Sequence, residues 1–172
     1  MSRIVDHFII HCAATRATQD IGAYDIDRWH RGRGWWGNGY HYVIRRDGKL
    51  ESEALGDRCR PLSRAGAHVG DCGAGWNSRS LAVCLAGGVN ENNRAENNFT
   101  EAQFKTLEEL VLTVLEENPS ITTIGGHRDL IRVTGASPKD CPSFSVGDWW
   151  TTEVLPKYPE NQRLNSVKLI GR

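Results

Sequence analysis

Short continuous apolar runs in this chain alternate with loops and with stretches of helical period. Asp6 to Cys12, with Phe8, Ile9 and Ile10 in succession, reads as a strand buried on both faces. Ser80 to Ala86 and Ile121 to Ile124 read the same way, the first closed by Gly87-Gly88 and the second delivering Gly125, Gly126 and His127. Ile26 and Trp29 among charged neighbours predict a short helix over Tyr24 to Arg33, ended by Gly32 and Gly34. Tyr40 to Arg45 and Leu50 to Glu53, joined through Asp47-Gly48, predict a hairpin with Tyr40 and Tyr42 on one face and His41 on the other. Residues 54–78 read mostly as loop. Thr100 with Gln103 makes a capping-box pattern, and Phe104, Leu107, Leu110, Val111, Val114 and Leu115 repeat at helical spacing up to Asn118-Pro119. A last helix is expected over Val146 to Leu155, with Trp149 and Trp150 packing on the sheet.

Alternating strands and helices point to an α/β fold, and open α/β sheets place their sites at strand ends. At 172 residues the chain suits one domain with a sizeable core. That domain is expected over residues 1–155, with 156–172 as a polar C-terminal tail that need not fold. Lys plus Arg equals Asp plus Glu at 21 each, so no global charge favours nucleic acid or an anionic membrane. The N-terminal apolar run is too short for a signal peptide, and no run approaches transmembrane length; a soluble product made in the cytoplasm is expected. The five cysteines, an odd number without close pairing, fit a reducing compartment, with Cys84 a core thiol.

Candidate chemistry gathers in the loop from Gly125 to Phe144, which carries His127, Lys139 and Cys141. His11 stands at the end of the first strand. If the strands ending at His11 and His127 are neighbours, two imidazoles and one thiolate can hold a zinc ion and leave the fourth position to water. Lys139 and Cys141, two apart after Pro138, would share a side in an extended segment. The same residues also allow a thiol hydrolase with Cys141 as nucleophile and His127 as base, which leaves His11 without a role. His7, His30 and His41 read as structural partners of backbone or helix ends. Trp35 and Trp36, on a glycine-rich loop, suit the apolar faces of sugars and peptides or the edge of the core.

Several stretches carry a family likeness: Ile10-His11-Cys12-Ala13-Ala14-Thr15, Gly39-Tyr40-His41-Tyr42-Val43-Ile44, Gly66-Ala67-His68, Trp76-Asn77-Ser78, Val83-Cys84-Leu85-Ala86-Gly87-Gly88 and Pro138-Lys139-Asp140-Cys141-Pro142-Ser143-Phe144. In this order, over roughly nine tenths of the chain, they resemble the zinc-dependent N-acetylmuramoyl-L-alanine amidases of the type 2 amidase and peptidoglycan recognition protein family, in particular amidase-type phage lysozymes. The resemblance implies a central mixed sheet flanked by helices with zinc in a surface groove. It implies His11, His127 and Cys141 as metal ligands, Tyr40 and Lys139 as catalytic residues, and His68 as a residue of the peptide-binding groove; Trp36 and Asn77 are further expected substrate contacts. One departure is the segment Arg128 to Ser137, longer than in the smallest phage relatives.

The implied activity is that of an endolysin cleaving the amide between muramic acid and L-alanine, with Tyr40 orienting water or passing a proton and Lys139 stabilising the oxyanion. Without a signal, such a protein would leave the host cytoplasm for the periplasm or wall only after membrane permeabilisation. A monomer without nucleic-acid partner or membrane insertion is expected. Two other readings stay open: a zinc-bearing module that binds peptidoglycan without cutting it, and contact with a phage RNA polymerase, which one phage relative makes.

Overall fold

The computed structural model describes residues 3–172. In chain order its main elements are β1 (His7–Cys12), β2 (Thr15–Arg16), α1 (Ala23–Gly32), β3 (Tyr42–Ile44), β4 (Leu50–Ser52), β5 (Ser80–Leu85), β6 (Gly88–Val89), α2 (Glu101–Glu117), β7 (Thr123–Gly126), α3 (His127–Thr134), α4 (Val146–Trp149), α5 (Gln162–Asn165) and β8 (Lys168–Leu169). Six strands make one sheet in the order β4-β3-β5-β1-β7-β8, while β2 and β6 form a separate pair. Only β3 and β4 pair antiparallel within the large sheet, so it is mixed, as expected.

The pleat divides the core. Phe8 and Ile10 of β1, with Leu81, Val83 and Leu85 of β5, face α2 through Leu107, Leu110, Val111, Val114 and Leu115, and face Trp149 and Trp150. Ile9 faces Leu130 and Ile131 of α3, and Val43 and Cys84 face Ile26 of α1. β1 is therefore covered on both sides, which is why its sequence lacks alternation. Each fully buried Ile or Leu there stabilises the fold by about 2 kcal/mol. The capping box of α2 forms as read: Gln103 N–H donates to Thr100 Oγ1 at 3.1 Å, and Thr100 N–H donates to Gln103 Oε1 at 3.0 Å. The helix that starts at Val146 widens to π winding over Trp150–Val154 and tightens at Leu155–Lys157.

Two expectations differ from the fold. Tyr40 and Tyr42 do not share a face: β3 begins only at Tyr42, which enters the α2 side, whereas Tyr40 precedes the strand and packs on the α1 side. Strand alternation does not extend across that junction. The residues after Pro156 are not left free either. β8 adds to the edge of β7, with Lys168 N–H donating to Thr122 O and Ile170 N–H to Ile124 O. Ile170 packs so closely on Gly125 that a Cβ there would meet its side chain at 2.7 Å. Arg163 Nη2 donates to the carbonyls of Leu115 in the last turn of α2 and of Asn118 and Ile121 just after it. Polar composition concealed these few anchoring residues.

Candidate metal centre and groove

β1 and β7 are parallel neighbours, with Ile10 opposite Gly126. The residue that follows is in each case a histidine, the last but one of β1 and the first of α3, so the register brings His11 and His127 to one place; their ring centroids are 4.8 Å apart. The return loop supplies Cys141. Arg128 N–H donates to Cys141 O at 2.8 Å, and a Cβ on Gly126 would meet Pro142 at 2.7 Å, so this glycine admits the loop to the strand end. One donor atom from each of His11, His127 and Cys141 lies within 4.8 Å of the others, and His11 Nδ1 is 3.6 Å from Cys141 Sγ. Cys12 stays outside this donor set, yet its backbone N–H points at Cys141 Sγ at 3.3 Å, a contact suited to a thiolate.

The orientation of His11 follows from a chain of hydrogen bonds. Ser80 Oγ donates to Trp76 O at 2.8 Å, so Ser80 accepts from His68 Nε2 at 3.0 Å. His68 Nδ1 then accepts from His11 Nε2 at 2.8 Å, which leaves the Nδ1 lone pair of His11 facing Cys141. Asn77 Oδ1 holds the loop carrying His68 by accepting from the N–H groups of His68 and Val69. On the other imidazole, His127 Nε2 lies 2.9 Å and 3.1 Å from the two oxygens of Asp71, and Lys139 Nζ is 3.3 Å from Asp71 Oδ2.

Burial, reinforced by the neighbouring imidazoles, holds His11 and His68 well below the usual histidine range. Burial also lowers His127, outweighing the bond to Asp71. These rings are neutral near pH 7, the form that ligates metal. Because His127 is neutral, its contact with Asp71 is a hydrogen bond to a carboxylate, and the ionic partner of that carboxylate is Lys139. Burial pushes Asp71 up, but the bond from His127 and the charge of Lys139 outweigh it and leave the carboxyl lowered. The hydrogen bond with Cys12 and then burial raise the Cys141 thiol well above its usual value, so a thiolate there calls for a cation beside it. The donor set fits zinc: two neutral imidazoles and one sulfur that a dication would ionise.

Above the donors lies a groove of about 560 Å³, lined among others by Tyr40, His68, Asn77, His127, Lys139 and Cys141. Tyr40 is half-buried with its ring 5.0 Å from that of His11, and burial, then the nearby thiols of Cys84, Cys141 and Cys12, keep its hydroxyl protonated. Trp36 stands outside the groove, in cation–π contact with the guanidinium groups of Arg60 and Arg64. The aromatic wall is Trp35, packed on His30 and accompanied by Arg33. Trp36, the ring expected to contact substrate, is thus not among the groove residues; both rings are visible in the sequence, and only the fold of the loop decides that Trp35 lines the groove. Asp71, in a glycine-rich loop, gave no signal. A second groove of about 610 Å³, beside Phe104, Phe144 and Trp149, contains neither His nor Cys and lies on the opposite side of the sheet.

The fold and the clustered donors suit an amidase, and residues 1–144 match the family described as N-acetylmuramoyl-L-alanine amidase, to which this chain belongs. Among relatives, the endolysin of Klebsiella phage KP32 is 39% identical over 146 residues, covering 85% of each chain. The endolysin of Escherichia phage T7 is 34% identical over 150 residues, covering 87% of this chain and 88% of its own. Among solved structures, the N-acetylmuramoyl-L-alanine amidase LysC from Clostridium intestinale URNW superposes with a TM-score of 0.65 at 24% identity, over 91% of this chain and 87% of that one. Bumblebee PGRP-SA superposes with a TM-score of 0.63 at 16% identity, over 90% and 86%. These two likenesses speak for the fold.

Proposed function

We propose that this chain is an endolysin that hydrolyses the amide between N-acetylmuramic acid and L-alanine of the peptidoglycan stem, using zinc held by His11, His127 and Cys141. The observation that carries this is the convergence of those three donors at adjacent parallel strand ends, beneath a groove that also holds Tyr40 and Lys139. Zinc at such a site supplies Lewis acidity to the amide carbonyl and lowers the pKa of a water molecule. The chain's own residues do the rest. The groove aligns the glycan and peptide with Trp35 as an apolar wall, and His68, His11 and Asp71 sit beneath it in fixed orientation. Tyr40, kept protonated, holds a proton at its hydroxyl for the water or the leaving amine. The Lys139 ammonium faces the negative charge that develops on the carbonyl oxygen.

No helix among the described residues is long and apolar enough to cross a membrane. By likeness to the phage endolysins, the proposal includes passage from the host cytoplasm to the wall after membrane permeabilisation by a separate agent. The proposal is tested by incubating the protein with purified sacculi and measuring new amino groups and new reducing sugar ends in parallel, with and without a zinc chelator. Chelator-sensitive amines without reducing ends are expected. Reducing ends would mean a different bond, and binding with neither product would leave a recognition module.

A further inference from the structure

We infer that Asp71 is a positioning residue of the metal centre, fixing His127 through its Nε2–H and anchoring Lys139 in the same carboxylate. The inference rests on the zinc reading above and extends it to a residue outside the three ligands. A carboxylate only accepts, so its contacts at 2.9 Å and 3.1 Å require the proton of His127 on Nε2 and leave the Nδ1 lone pair free. His68 does the same for His11 from the other side, at 2.8 Å. The two imidazoles are thus each locked by a different acceptor, one neutral and one anionic. The anionic one raises the basicity of its ring and draws the Lys139 ammonium to within 3.3 Å of the same oxygen pair.

The placement of Asp71 is built rather than incidental. It occupies the single helical turn Gly70–Cys72, which follows directly on His68 and Val69, and the N–H groups of both are held by Asn77 Oδ1. Val69 is fully buried and Cys72 nearly so, in the cluster that includes Leu130 and Ile131 of α3. The turn is therefore pinned to the helix that begins with His127, and the carboxylate has little freedom to leave it. Its side chain is 28% exposed, so water competes only partly for its oxygens.

The test is zinc affinity, read by competition with a chromogenic chelator on the full chain, for the unaltered protein, Asp71→Ala, Asp71→Asn and Lys139→Ala. Asp71→Ala should bind zinc about 10- to 100-fold more weakly, Asp71→Asn should fall between, since its amide oxygen still accepts, and Lys139→Ala should be no weaker than the unaltered protein. Melting of the metal-free forms should agree, which separates positioning from folding. Cobalt(II) substitution supplies the coordination readout: visible bands of unchanged position and intensity in Asp71→Ala are expected. Equal zinc affinity in Asp71→Ala overturns the role, and cobalt bands that report a lost ligand overturn it in favour of direct ligation. Should Asp71→Ala fail to fold, Asp71→Asn decides, an unchanged affinity counting against the inference. Absence of zinc binding by the unaltered chain overturns the metal reading and this role together, whereas failure of Asp71→Ala alone to differ leaves the metal reading standing.

Discussion

Lys139→Ala isolates the charge stabilisation assigned to this site, because Lys139 carries no donor in the ligand set. A full charge about 4 Å from a developing oxyanion is worth ~4 kcal/mol at an effective dielectric of about 20. The Lys139 side chain is 54% exposed and its charge is shared with Asp71, so roughly half that value is appropriate. About 2 kcal/mol of barrier corresponds to a turnover loss of about 30-fold. Losses of ~10² to 10³ for removed oxyanion donors in buried sites set the upper bound. The assay is initial amine release from sacculi across substrate concentrations, with zinc content measured on the same samples. The expected result is a lower kcat with little change in KM, full zinc content, and partial recovery in Lys139→Arg. A kcat within about threefold of the unaltered protein, with zinc retained, would refute the reasoning.

Other consequences follow from named contacts. Trp35→Ala should raise KM on sacculi by about tenfold through loss of an aromatic contact, while Trp36→Ala, outside the groove, should leave KM within about twofold. Arg163→Ala removes the donor to three carbonyls at and after the C-terminal end of α2 and should cost about 2 kcal/mol, read as a fall of roughly 4–8 °C in Tm. Removing residues 158–172 deletes β8 and the cover over Gly125, and should yield a protein that melts early or aggregates; an unaltered melting curve would contradict the packing described. His41 is buried and its pKa lies at about 4, below its unfolded value, so the unfolded chain takes up the proton first as the pH falls. Its contribution to stability is complete above about pH 6.5 and is lost down to about pH 4, an effect on the order of 3 kcal/mol. Urea unfolding at pH 7.5 and 4.5 should show a shallower pH dependence for His41→Asn than for the unaltered protein.

The strand ends and the clustered donors were legible because apolar runs such as Phe8 to Ile10 and Ile121 to Ile124 announce buried strands, the first running straight into His11 and the second reaching His127 after two glycines. Residue spacing did not show that these strands are neighbours; the resemblance implied the arrangement, and the parallel register of Ile10 with Gly126 supplies its physical cause. Asp71 was invisible because its role depends on how a loop folds over α3, which no periodicity encodes. The face of Tyr40 was misread because strand alternation was extended beyond the start of β3. β8 was hidden because two residues of an edge strand, set between Val167 and Ile170 in an otherwise polar stretch, are too few to show a period. Leu164 and Ile170 are the buried apolar residues of that stretch.

The most direct test of the central claim is a zinc titration of the metal-free protein with amine release from sacculi measured at every step. Activity should rise linearly and level off at one zinc per chain, with no reducing ends at any point, and His11→Ala, His127→Ala and Cys141→Ala should each abolish the rise. Full amine release by protein free of divalent metal, or a plateau unaffected by those three substitutions, would contradict it.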